Sequence, residues 1–357
     1  MKLRLSIYTC MHFLVDLTCI YRLYAIVMPE SGSLENWILL VVLYNFLAFA
    51  LPGLVGLIAD YLDSTDFLAA LGCLLVSVPA WFSLPVTGIV VLQGLGNGAF
   101  HIGVGRKVLK DSNGSYTPSG IFISSGALGV FFGTVWRKEV HIVLTHGLAA
   151  VLLLCAGILL LFGKMQTNSK KSASDTPVSE LPKQSSVQMQ NTTRFLSFPI
   201  LMILLVVILR SFYGTAVSYD WKNTFAKSLL FALCIVAGKA FGGIAADLMG
   251  VRIASILSVG GAAVTVLFSE NSMFMGCLSI LLFNMTMPLT LSLLAAWWKD
   301  YPGFAFGMLM VALFLGTVPD IIGNNITLSV QGLCFISLLS LLGLLLVVYR
   351  GRKEEVL

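Results

Sequence analysis

Gly56-Leu57-Ile58-Ala59-Asp60 returns later in the chain as Gly243-Ile244-Ala245-Ala246-Asp247, an offset of 187 residues. The same offset carries Asn97, inside one apolar run, onto Asn284 inside another. Two more matches lie close by: Arg22 with Arg210 at 188 residues, and Phe132-Gly133-Thr134-Val135 with Leu315-Gly316-Thr317-Val318 at 183. One short match in an apolar chain is noise. Four in register predict two homologous helical bundles, and duplicated bundles with a site at their interface are a common build of secondary transporters.

The composition is that of a protein living in lipid. Of 357 residues, 57% are hydrophobic and 11% charged, with mean hydropathy +0.92; a soluble domain carries about 25% charged residues. A helical span takes roughly 20 apolar residues. Twelve are read, at about 5–27, 37–59, 67–83, 85–104, 119–136, 140–163, 196–217, 225–246, 252–269, 272–297, 303–322 and 326–349. The runs are continuous rather than alternating, which excludes a large β-barrel. The expected fold is therefore all-α and integral to the membrane, with twelve transmembrane helices in two pseudo-symmetric six-helix bundles. Residues 1–163 form the first bundle, 164–195 a flexible cytoplasmic linker, 196–350 the second bundle and 351–357 a cytoplasmic tail. The linker is rich in Ser, Gln, Asn and Lys and has too few apolar groups to fold.

Met1-Lys2-Leu3-Arg4 opens like a signal peptide, but His12, Asp16 and Arg22 interrupt the apolar run and no small-residue cleavage site follows. It reads as a retained helix. The seven cysteines all fall in apolar spans without a CxxC pair, so they imply neither a disulfide nor a metal. With the N-terminus inside, fifteen Lys and Arg fall in cytoplasmic segments and four (Arg137, Lys138, Lys222 and Lys227) in outer loops. That asymmetry puts both termini in the cytoplasm. The expectation is a multi-pass monomer of the inner or plasma membrane, with the lipid bilayer as its surroundings.

Polar residues inside the spans carry the chemistry. His12 and Asp16 stand at i, i+4 in span one, with Asp16 near the bilayer midplane. A carboxylate there must be paired, wetted or protonated, which suits a proton-coupling site, with His12 or His101 as its partner; a fixed ion pair holding the bundle is the plainer reading. Gln93, Asn97 and His101 stand at i, i+4, i+8 on one face of span four. Such a stripe lines a watery cavity or supplies interhelical hydrogen bonds. Lys239 in span eight is a further intramembrane base. Asn284-Met285-Thr286-Met287-Pro288 is a polar run in span ten, where the proline frees a carbonyl and bends the helix. Gly126, Gly129 and Gly133 share a face of span five that packing alone explains.

On these residues the chain resembles a major facilitator superfamily transporter. Gly56 to Asp60 and Gly242-Gly243-Ile244-Ala245-Ala246-Asp247-Leu248-Met249-Gly250-Val251-Arg252 resemble that family's loop motif between helices two and three and its echo between eight and nine. The resemblance gives Gly56, Asp60, Gly243, Asp247 and Arg252 a gating role. Ala99-Phe100-His101-Ile102-Gly103-Val104-Gly105-Arg106, with His12 to Leu17, resembles the fosmidomycin-resistance-like drug exporters and implies proton-coupled efflux. Val90 and Thr134 depart from the residues many proton antiporters carry there. The family's twofold axis brings spans one and seven together, so Arg22 and Arg210 are expected to face one cavity as a fork for an anion. Pairing with Asp220 or Asp320 as an outer gate, or snorkelling to the interface, are the other readings.

The expected function is secondary active transport of a small organic solute, anionic or amphipathic, by alternating access and proton-coupled efflux. Its substrate contacts are Arg22, Arg210, Gln93, Asn97, Asn284 and Lys239, and its proton groups Asp16, His12 and His101. Organic-anion uptake or exchange is the alternative on the same fold, and a transport-inactive receptor or scaffold the alternative from another class. No HExxH, GxSxG or GxxxxGK[ST] occurs, so neither an intramembrane enzyme nor a nucleotide-driven pump is expected. Small solute and protons are the expected partners, with no cofactor, metal or nucleic acid.

Overall fold

The computed structural model describes residues 2–62, 65–138, 141–174, 197–324 and 326–354. Among them, nine helical segments are long and apolar enough to cross a membrane. In the first half these are α1 (Lys2–Glu30), α2 (Leu34–Leu62), α5 (Thr117–Val135) and α6 (Ile142–Met165). In the second they are α7 (Phe198–Ala216), α8 (Phe225–Met249), α10 (Met273–Trp297), α11 (Pro302–Ile321) and α12 (Val330–Lys353). Two shorter apolar helices, α3 (Thr65–Ala80) and α9 (Val251–Val266), join them, as does the polar-striped α4 (Val86–Ser112).

Each expected span coincides with one of these helices. At α4 the helix runs eight residues past the expected end. Arg106, Lys107 and Lys110 continue the helix because lysine and arginine are good helix formers, and Asn113 ends it in the left-handed conformation at φ 49°. The helix of α6 carries on to Ser174; residues 175–195 of the expected linker, and 355–357 of the tail, lie outside the described residues. In α10 the helix breaks at Met285. Pro288 has no N–H for the Asn284 carbonyl, so the bend falls beside Asn284.

The repeat is visible in how the halves hold each other. Asp60, at the end of α2, accepts hydrogen bonds from Gly303 N at 2.9 Å and Phe304 N at 2.7 Å, at the start of α11. Asp247, at the end of α8, accepts from Tyr116 N and Thr117 N, both at 2.8 Å, at the start of α5. Each half therefore caps a helix N-terminus of the other, where free N–H groups and the helix dipole favour an anion. Close backbone approach makes this possible. A Cβ on Gly56 would strike the Gly303 carbonyl, and one on Gly243 would meet Tyr116 O at 2.5 Å. Both caps lie at the end of the bundle where α1 begins and α12 finishes.

Candidate functional site

The α1–α4 interface is built on an antiparallel register that the side chains mark out. His12 meets His101, Asp16 meets Asn97, and Cys19 Sγ reaches the Gln93 carbonyl. A climb along α1 is matched by an equal descent along α4, so the polar residues of both helices face each other in one column. The i, i+4 spacings seen in the sequence produce this directly.

At the base of the column three groups converge. His12 Nε2 lies 3.2 Å from Asp16 Oδ2, His101 Nε2 lies 3.7 Å from Asp16 Oδ1, and the two Nε2 atoms are 2.9 Å apart. The opposite ring nitrogens are committed. His12 Nδ1 is 2.8 Å from the Phe122 carbonyl and His101 Nδ1 is 2.9 Å from the Asn97 carbonyl. A carbonyl only accepts, so each Nδ1 carries the proton, and a neutral ring leaves its Nε2 as a lone pair. Two lone pairs and a carboxylate then face one another in a buried site. That arrangement is stable only with a cation among them. The three donor atoms lie within 4.8 Å of one another, so a shared proton, or another small cation, is met by two imidazole nitrogens and a carboxylate.

The surrounding residues hold the trio in place. Asn97 Nδ2 donates to Asp16 Oδ1 and to Tyr44 Oη, both at 3.2 Å. Gly126 of α5 leaves the space that Asp16 and His12 occupy, since a Cβ there would meet Asp16 Oδ2 and His12 Nε2. The glycine stripe of α5 is therefore more than packing: it admits the trio. Tyr44, Gly126 and the Phe122 carbonyl were not legible as site groups, because no spacing in the sequence ties them to Asp16.

Higher in the column, Gln93 is buried, and among the described residues neither its amide atoms nor the Asn97 Oδ1 has a hydrogen-bond partner. Arg22 is wholly buried; its Nη1 donates to the Val76 carbonyl on α3, while its Nε and Nη2 have no partner among the described residues. Burial at 0% exposure rules out snorkelling. Asp220 and Asp320 are exposed, and neither pairs with Arg22 or Arg210 among the described residues.

Across the interface, Arg210 Nη2 donates to Asn284 Oδ1 at 2.7 Å, and its Nε is unbonded. Half-buried Lys239 of α8 stands within electrostatic range of Asp16, His101 and Arg210. The Lys239 backbone also lies against Gly120 of α5. Asp16, His12, His101, Asn97, Lys239, Arg210 and Asn284 are thus brought into one neighbourhood of the two halves. The motif residues Asp60, Asp247, Gly56 and Gly243 form the helix caps, where Asp60 also accepts from Arg106 Nε at 2.6 Å. Arg252 is exposed at the start of α9, and none of the bonds to Asp247 comes from it.

One expectation needs correcting. Arg22 and Arg210 are not structural equivalents. The helix caps relate Tyr116–Thr117 to Gly303–Phe304, again 187 residues apart. On that offset Gly316 corresponds to Gly129, not to Gly133. Gly129 sits against Phe13 O, Asp16 Cβ and Leu17 N, and Gly316 sits in the same pattern against Ile208 O, Ser211 Cβ and Phe212 N. Residue 13 therefore matches 208, an offset of 195. The asparagines agree: Asn97 bonds Asp16 and Asn284 bonds Arg210, an offset of 194 between the partners. Arg210 stands at the level of Asp16. The cause is a shorter first helix in the second half, since α1 runs to Glu30 and α7 stops at Ala216.

Solved structures share this fold. The major facilitator superfamily transporter FucP, in its outward conformation, matches with TM-score 0.63 at 13% identity, over 96% of this chain and 98% of that one. The human organic anion transporter MFSD10 (TETRAN) matches with TM-score 0.60 at 14% identity, over 96% and 98%. The proton:xylose symporter XylE, bound to 6-bromo-6-deoxy-D-glucose, matches with TM-score 0.60 at 13% identity, over 98% and 95%. No protein-family model and no curated protein matches the sequence. The chain thus has the all-helical, membrane-spanning fold of major facilitator transporters.

Proposed function

We propose that this protein is a proton-coupled secondary transporter of a small organic anion or anionic amphipath, working by alternating access of its two halves. The observation that carries the reading is the convergence of His12 Nε2, His101 Nε2 and the Asp16 carboxylate, with both Nδ1 atoms already committed to carbonyls. A buried set of acceptors needs a cation, and a transporter that loads and releases one proton there has its coupling site. Asp16 is the group whose charge decides whether the proton stays; His12 and His101 share it.

The second half supplies positive charge at the matching level. Arg210, oriented by Asn284, and Lys239 form the face toward which an anionic solute is drawn, with Gln93, Asn97 and Arg22 on the opposite half. Transport then requires the two caps to open and close. Asp60 and Asp247 hold the cytoplasmic end shut, and releasing them exposes the site to that side. Efflux across the plasma membrane is the proposed direction, on the resemblance of residues 99–106 to drug exporters. Proton symporters among the structural neighbours favour uptake as the second reading.

The test is transport by purified protein in liposomes with an imposed pH gradient, over a panel of carboxylates, phosphonates and lipophilic cations. The expected result is a flux of at least one anion that follows the gradient, with its direction separating efflux from uptake. A panel that moves nothing under either polarity of gradient points to the receptor or scaffold reading instead.

A further inference from the structure

We propose that the N-terminal half contains a carboxylate anchor, built from the free edge of the Arg22 guanidinium and the side-chain amide of Gln93, which takes the carboxylate of the solute. The proposal deepens the transporter reading and rests on it for the identity of the solute; the anchor itself stands on geometry.

Arg22 is fully buried, and among the described residues its one hydrogen bond goes from Nη1 to the neutral Val76 carbonyl. Among the described residues no carboxylate pairs with it. A buried guanidinium without an anion is strongly disfavoured. The Val76 bond also fixes which side remains open. Nε and Nη2, both unbonded, share one edge of the guanidinium and direct two parallel N–H groups from it. That edge matches the two oxygens of a carboxylate.

Gln93 supplies the second part. It is wholly buried, and both Nε2 and Oε1 are unbonded. The contact of Cys19 Sγ with the Gln93 carbonyl sets the two residues one turn apart along the column. Side chains on a helix lean toward its N-terminus. Because α1 and α4 are antiparallel, Gln93 leans toward the turn of Arg22, and Arg22 leans back toward the turn of Cys19. The amide N–H₂ then adds a donor to the carboxylate, and Oε1 remains for a hydroxyl or a water.

Chemistry narrows the ligand further. The anchor holds one cation, Arg22 itself, and its neighbour Cys19 is buried and apolar. A monoanion is balanced there; a phosphonate or phosphate dianion is left with a second charge uncompensated. The expected ligand is a monocarboxylate with an apolar body, held about 9 Å along α1 from Asp16 at 1.5 Å per residue.

Calorimetry on the full-length protein in lipid nanodiscs tests this, with benzoate and decanoate as probes and phenylphosphonate and benzamide as controls. At least one carboxylate is expected to bind and neither control to compete at equal concentration. Arg22→Lys keeps the charge and loses the fork, and is expected to weaken binding about ten- to a hundredfold. Gln93→Leu, a second variant in case the first does not fold, is expected to weaken it about fivefold. No binding of either carboxylate, or unchanged binding in both variants, overturns the anchor. Binding lost only in Arg210→Lys moves the anion to the other half and also overturns it, leaving the transporter reading intact. Binding that depends on Arg22 without any flux in liposomes supports the anchor and counts against transport.

Discussion

The two halves repeat a scaffold and diverge in what it carries. At the level where α1 presents Asp16 to Asn97, α7 presents Arg210 to Asn284. Around the acid stand two histidines, and Gly126 makes room for them. The matching position in α11 is Leu313, a residue with a side chain where the first half has none, and its carbonyl accepts from Ser211 Oγ at 2.7 Å. The capped helix ends, the paired asparagines and the glycine contact of Gly129 and Gly316 hold a constant offset; the first helix of each half does not. Divergence is thus concentrated in the helix that bears the chemistry. An acid in one half and a base at the matching level of the other give the halves different chemistry on one frame.

The caps offer the sharpest test of how equal the halves are. Asp60 is buried with Arg106, while Asp247 is exposed and bonded to Ser115 and two backbone N–H groups. Asp60→Asn removes the carboxylate from a buried guanidinium and is expected to cost about 3–5 kcal/mol. Asp247→Asn weakens a solvated cap and is expected to cost about 1 kcal/mol. Thermal unfolding in nanodiscs, with thiol labelling of cysteines placed at the capped end, reads both. Equal effects would mean that the caps are interchangeable and that the Arg106 contact adds nothing.

A smaller effect is expected inside the first half. Gly126→Ala places a Cβ against Asp16 and His12, and overpacking of this kind costs about 1–3 kcal/mol. Flux driven by a pH gradient is expected to fall about tenfold while solute exchange falls less, because the strain acts on the proton trio. Equal loss of both would assign Gly126 to helix packing alone.

The spans were legible because lipid enforces continuous apolar runs, and the trio was partly legible because Asp16 and His12, and Asn97 and His101, stand one helical turn apart. The pairing of Arg22 with Arg210 misled because sequence offset and helix register are different quantities. The segment from Asp16 to Asp60 is seven residues longer than that from Arg210 to Asp247, and the earlier end of α7 takes up that change without disturbing either cap. The partners of Asp60 were not legible at all. They lie at the start of α11, 243 and 244 residues away, and only the twofold arrangement of the halves joins them. Tyr44 gave no signal beyond one hydroxyl in an apolar span.

The most direct test of the proposed proton site is Asp16→Asn in liposomes, comparing flux under an imposed pH gradient with exchange at equal pH on both sides, for whichever anion of the panel the unmodified protein carries. Asparagine keeps the shape of the side chain and the bond from Asn97, but it cannot hold a proton between the two imidazoles. The account predicts that gradient-driven flux is abolished while exchange persists. Gradient-driven flux at the unmodified rate would contradict it, and would make Asp16 a structural partner of His12 and His101.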